Sequence, residues 1–151
     1  LQTGKRELVP VVFLDAPGGH FWSEWDSFVR NQLLKDGMIS PDDLSLYKVT
    51  DSLDLAVEEI LNFYRCFHSM RYVDDMLVFR LHQPLSDKKL QEINATFGDI
   101  LSSGQFGVSG PLDEERDEPQ LKDMQRLVFH FNRRSLGRLR QLVDNLNETG
   151  K

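Results

Sequence analysis

Residues 10–28, PVVFLDAPGGHFWSEWDSF, pass from an apolar run through Pro-Gly-Gly into a pattern holding two tryptophans. The run over 8–15 (LVPVVFLD) has the composition of a strand buried on both faces, as in a parallel sheet. Beyond the turn, Phe21, Trp22, Trp25, Phe28, Val29 and Leu33 recur at helical spacing, and Gly37 supplies a stop signal. The stretch therefore predicts strand, loop and amphipathic helix. A diglycine at that joint can offer backbone N–H groups to an anion, because a helix N-terminus carries unpaired donors and partial positive charge. Neither G-x-G-x-x-G nor G-x-x-x-x-G-K-S/T is present, so a ligand loop and a plain joint both stay open.

The unit recurs. Ser40-Pro41-Asp42-Asp43 reads as a capped short turn, LYKVT over 46–50 as a second strand, and Asp51 or Ser52 as the cap of a helix running to about Phe67. Leu53, Ala56, Val57, Ile60, Leu61, Tyr64 and Phe67 form its expected buried stripe. Two successive βα units imply a parallel sheet. If the helix continues, Arg65, His68 and Arg71 align on one side and can offer cations to a phosphate. The competing reading is a basic helix end that satisfies the dipole.

From Leu77 the period changes to two. Leu77, Phe79 and Leu81 share one face of a strand, and Val78, Arg80 and His82 share a wetter one. Ser86 caps a helix with Leu90, Ile93, Phe97, Ile100 and Leu101; GQFGVSG (104–110) holds a brief strand; PLDEERDEP (111–119) reads as a solvated, mobile loop. Leu127-Val128-Phe129 then repeats the 77–79 triplet, and Ser135 caps a helix with Leu136, Leu139, Leu142, Val143 and Leu146. The resulting β-α-β-β-α order is close to a ferredoxin-like split sheet with helices on one face. The expected fold class is α/β: residues 1–71 form the C-terminal half of a Rossmann-like parallel sheet, and 72–151 form a small α+β domain.

The charge of −6, the pI near 5.2 and the dispersed basic residues argue against a nucleic-acid or anionic-membrane partner. The single cysteine, Cys66, has no internal disulfide partner, and no apolar run approaches the ~18 residues of a spanning helix. A reducing cytoplasm is expected. The start at LQTGKRELVP lacks both an initiator Met and a signal-peptide pattern, which reads as a fragment of a larger protein. His20, His68, His82 and His130 lack metal-ligand spacing, so no metal is expected, although His82 and His130 are placed near each other on the wetter sheet face. Ser109 in GVSG lacks the spacing of a nucleophile elbow, and Cys66 and His68 diverge if both are helical.

LQTGK (1–5), PVVFLDAPGGHFWSEWDSFVR (10–30), DGMISPDDLSLYKVTD (36–51) and FYRCFHSMRYVDDMLVFRL (63–81), in this order and spacing, resemble the later part of the bacterial LOG (Lonely Guy) family in its long form. The resemblance implies a Rossmann-like, homo-oligomeric protein that binds nucleoside 5'-monophosphates. In active members it implies a phosphoribohydrolase that releases base and ribose 5-phosphate without a cofactor. Some relatives carry the label lysine decarboxylase, which no lysine in a recognisable cofactor pocket supports here. The family's P-G-G-x-G-T-x-x-E loop precedes the LQTGK-like segment and is not in this sequence, so no catalytic residue transfers. His20-Phe21-Trp22 follows Pro17-Gly18-Gly19 where Gly-Thr would be needed. Asp15, Gly18, Gly19 and His20 are the nucleotide-rim candidates, because they sit where a strand's carboxyl end meets the ligand crevice. The competing functional reading is a non-catalytic regulatory or oligomerisation module with a ferredoxin-like ligand-sensing domain.

Overall fold

The computed structural model describes residues 7–148; the LQTGK segment lies outside them. Apolar Val12–Leu14, with a β-branched and an aromatic residue, forms β1, which pairs in parallel with β2, Lys48–Thr50, in register Val12 to Lys48. Helix α1, Phe21–Phe28, joins them and continues as a π-helical stretch over Val29–Leu34. The predicted short turn is present at Pro41–Leu46, and it adds a bond not expected from sequence: the Ser40 amide donates to Asp43 Oδ2 at 2.8 Å. Helix α2, Leu53–Phe63, is capped by Ser52, whose Oγ accepts from the Leu55 amide. β1 is shorter than the apolar run and not buried on both faces, since Leu14 is exposed on this two-stranded sheet.

A second sheet has four antiparallel strands in the order β3-β4-β6-β5. These are β3, Phe67–Val73; β4, Met76–Leu81; β5, Leu101–Ser109; and β6, Gln125–Phe131. Helices α3, Asp87–Phe97, and α4, Leu136–Asn147, follow β4 and β6. Leu77, Phe79, Leu127 and Phe129 on the central strands pack with Ile93, Phe97, Leu139, Leu142 and Leu146 of the helices into one apolar core that also takes in Leu8. Complete burial of such side chains contributes about 1.5–3 kcal/mol each. The predicted β-α-β-β-α order is present as β4-α3-β5-β6-α4, with β3 added at the edge beside β4. β3 crosses the expected boundary at 71–72.

The helix predicted to reach Phe67 stops at Phe63. The Asn147 side chain of α4 accepts from the Cys66 and Phe67 amides at 2.7 and 3.2 Å and donates to the Phe63 carbonyl at 2.7 Å. These bonds satisfy the freed backbone at the helix end, and the chain leaves as a strand. Arg65, His68 and Arg71 therefore do not share a helix face. The stripe predicted as buried on α2 is also corrected. Only Ala56 and Phe63 are buried on this helix, whereas Leu53, Val57, Ile60, Leu61 and Tyr64 are exposed, because α2 packs on β1, β2 and α4 through its other side.

Helix α3 ends before Leu101, which begins the nine-residue β5 in place of the brief strand expected at 104–110. Ser135 occupies the N-cap position of α4 without a side-chain cap bond. Asn132 instead accepts from the Arg134 and Ser135 amides at 2.9 and 3.0 Å. Gly137 lets α4 approach the turn at Pro41–Leu46, since a Cβ there would stand 2.2 Å from the Asp42 carbonyl oxygen. Buried Arg140 adds a charge clamp at the same junction, bonding Glu59 of α2 at 2.5 Å and Asp144 at 2.9 Å while lying over the Phe63 ring.

Candidate functional site

The carboxyl ends of β1 and β2 bring Asp15, Gly18, Gly19 and His20 into one loop, with Asp51 beside it. The buried Asp15 carboxylate accepts from the Trp22 amide at 3.1 and 3.2 Å and from the Ser23 amide at 3.3 Å, capping α1 from a distance in sequence. Gly18 adopts φ +75°, and its amide donates to Asp51 Oδ2 at 3.4 Å. The Gly19 amide donates to the Ala16 carbonyl at 2.7 Å, and a Cβ on Gly19 would stand 2.9 Å from that oxygen. His20 is exposed. In this conformation an anion at the start of α1 would compete with the Asp15 carboxylate for the Trp22 and Ser23 amides.

The three basic candidates are dispersed. Arg65 bonds the Asn62 side chain and lines a polar cavity of about 220 Å³ between α2 and α4, with Glu58, Glu59 and Arg140. His68 lies on β3, its Nδ1 2.8 Å from Ser69 Oγ and its ring 5.0 Å from that of His82. Burial, then the His82 and Arg80 charges, depress its pKa. Arg71 Nη1 donates to Asp117 at 2.9 Å and Glu118 at 3.0 Å. His82 and His130 are not neighbours: His130 lies at the other end of the sheet, 3.3 Å from Asp75.

The expected wetter sheet face is corrected as well. Val78 and Arg80 are buried, and only His82 is exposed among the three. The loop over 111–121 lies over this face: most of 111–119 is exposed, as expected, but Glu115 turns inward and is buried against two arginines of the sheet. Glu115, 3% exposed, accepts from Arg80 Nε at 2.7 Å, Arg126 Nε at 3.0 Å and the Leu112 amide at 3.1 Å. Burial pushes its pKa up, but the bonds from Arg126, Leu112 and Arg80 outweigh it and hold the carboxyl at about 2. Glu118 pairs with Arg80 and Arg71. Sequence reasoning passed over this network, although the signal was present: Arg80 follows one Leu-Val-Phe triplet and Arg126 precedes the other, so antiparallel pairing of the triplets opposes the two arginines.

A cavity of about 410 Å³ lies where the two sheets' units meet, lined by Val11, Phe13, Trp25, Leu46, Tyr47 and Arg134 among others. Phe13 stacks on Trp22 at 4.4 Å between centroids and meets Trp25 edge-on at 4.9 Å, which in turn meets Tyr47 at 5.2 Å. The Tyr47 hydroxyl donates to Asp26 at 2.7 Å; burial, reinforced by that bond, raises its pKa to about 12. The phenol stays protonated as a fixed donor at neutral pH. Among the described residues no cluster of three or more His, Cys, Asp or Glu is arranged to hold a metal, and no helix is long and apolar enough to cross a membrane.

Comparison of the chain with protein-family models, curated proteins and solved structures found no match. Its own architecture defines the class: a mixed α/β protein with a parallel two-stranded sheet and an antiparallel four-stranded sheet.

Proposed function

We propose that this chain is part of a LOG-type nucleotide-binding protein, in which β1-α1-β2-α2 belongs to a larger Rossmann-like parallel sheet. In this reading the loop Asp15–His20 forms the rim of a nucleoside 5'-monophosphate site, and the groups that cleave the N-glycosidic bond lie on segments outside this sequence. The observation that carries the reading is α2. Leu53, Val57, Ile60, Leu61 and Tyr64 keep helical spacing yet are exposed, beside a parallel sheet of two strands. Parallel sheets are ordinarily covered on both faces, so this stripe fits a surface that further chain or a second subunit covers.

N-glycosidic cleavage needs a carboxylate near the ribose and donors around the phosphate. Asp15 is committed to capping α1, so the chain alone is expected to be inactive. Incubation of this chain, and of a longer protein containing it, with AMP followed by assay of ribose 5-phosphate tests the proposal. Release by the longer protein alone supports it, and release by the 151-residue chain overturns the assignment of catalysis to other segments.

A second reading rests on the antiparallel sheet. The antiparallel order β3-β4-β6-β5 supports reading the unit as a variant of a ferredoxin-like sheet, with the outer strand supplied from before the first βαβ crossover instead of after the last helix. This supports a regulatory or oligomerising role for the unit from Phe67 onward. Light scattering of the chain with and without AMP tests it, and a strict monomer in both conditions counts against it.

A further inference from the structure

We infer that the cavity between the two units binds a small flat hydrophobic molecule bearing an anionic group, with the ring against Phe13, Trp25 and Tyr47 and the anion at Arg134. Three observations meet there. The volume, about 410 Å³, suits one small ring system, and the lining is largely apolar and aromatic. The aromatic wall is held in place: Tyr47 is tied to Asp26 at 2.7 Å, and Asp26 to Arg30 at 2.7 Å. A pocket of this kind offers ring faces without first having to reorganise.

The third observation is Arg134. Every other described arginine has a carboxylate, a side-chain amide, a carbonyl or an aromatic ring as partner. No ion pair, hydrogen bond or ring contact engages the Arg134 guanidinium among the described residues, whereas its backbone amide is fixed by Asn132 Oδ1 at 2.9 Å. Arg133, at φ +59°, completes the turn that brings Arg134 to the cavity. The other charged residue at the cavity, Asp43, has its carboxylate engaged by the Ser40 amide. Asp43 keeps its negative charge but is held toward the Ser40 amide, which leaves the Arg134 guanidinium as the charged group without a partner among the described residues, and a planar guanidinium pairs well with a carboxylate, sulfonate or phosphate. Because the wall comes from α1, β1 and the turn before β2 while Arg134 comes from the β6–α4 connection, an occupant would bridge the two units.

The test uses 8-anilinonaphthalene-1-sulfonate, a flat aromatic anion, titrated by fluorescence at fixed ionic strength, with N-phenyl-1-naphthylamine as its uncharged counterpart. Arg134→Gln is expected to weaken sulfonate binding about tenfold and to alter binding of the neutral probe by less than about twofold. Met38→Trp, which adds bulk at an exposed lining position, is expected to weaken both probes. Leu61→Lys on α2 is the control for adsorption to the exposed stripe and is expected to change neither. Sulfonate binding insensitive to Arg134→Gln, or binding abolished by Leu61→Lys and untouched by Met38→Trp, overturns the inference.

Discussion

Arg80 and Arg126 stand directly opposite each other on β4 and β6, and the Glu115 carboxylate lies between them, 2.7 Å from one Nε and 3.0 Å from the other. Like charges opposed across a strand pair repel, so the loop over 111–121 supplies the anion that lets this register persist. Removing one partner of a buried ionic cluster leaves uncompensated charge, at a cost of about 3–5 kcal/mol. Glu115→Gln is expected to destabilise the chain by about that amount in urea denaturation, whereas Asp113→Asn, at an exposed pair, changes stability by less than about 1 kcal/mol.

The same carboxylate sets an acid limit. Its pKa is lowered from 4.5 to about 2, so the folded state binds fewer protons than the unfolded state between those values. Its contribution, roughly 3 kcal/mol, is present in full above pH ~4.5 and is lost as pH falls through about 2. Denaturation midpoints measured from pH 6 to pH 2 are expected to fall in the wild type and to fall less steeply in Glu115→Gln.

Asn147 is the second determinant outside the apolar core. It accepts from two backbone amides and donates to one carbonyl at the α2–β3 junction, all at buried positions. Asn147→Leu leaves those groups unsatisfied, at about 1–3 kcal/mol each in the limit without relaxation. The expected outcome is a loss of about 3 kcal/mol or more in denaturant, with faster amide exchange at Cys66 and Phe67.

Gly137→Ala places a Cβ 2.2 Å from the Asp42 carbonyl oxygen. An alanine in a helix is ordinarily favoured over glycine by about 1 kcal/mol. Here contact with backbone is expected to reverse the sign and destabilise by about 1–3 kcal/mol. A raised denaturation midpoint in Gly137→Ala would refute the close approach of α4 to the turn.

Leu61 is 68% exposed on the stripe of α2. Leu61→Lys is expected to leave the stability of this chain within about 0.5 kcal/mol and to reduce its self-association in light scattering. In a longer protein whose further segments cover α2, the same substitution is expected to destabilise by about 2–3 kcal/mol, so comparing the two polypeptides tests the proposed covering.

Legibility from sequence followed the range of the responsible forces. The short turn opened at Ser40, the Ser52 and Ser86 caps, and the strands around Leu77 and Leu127 are signalled by residues a few positions apart, and they are present. The end of α2 depends on Asn147, more than eighty residues away in the chain. Similarly, the role of Asp15 depends on amides across a loop, and the order of the acidic loop depends on two arginines from different strands. Composition of 111–119 gives no sign that Glu115 alone turns inward, because its counter-charges are remote in sequence.

By itself the sequence determined a mixed α/β chain: where apolar periods of two and of about 3.6 residues alternate, and that Ser52 and Ser86 cap the helices that follow them, since both depend on local backbone geometry. Only the tertiary structure decided which faces are buried, that Asp15 turns inward to cap α1, and that Arg80, Arg126 and Glu115 form one buried cluster. Burial and ion pairing depend on which segments meet in space, and sheet register and helix docking settle that only when the chain is folded.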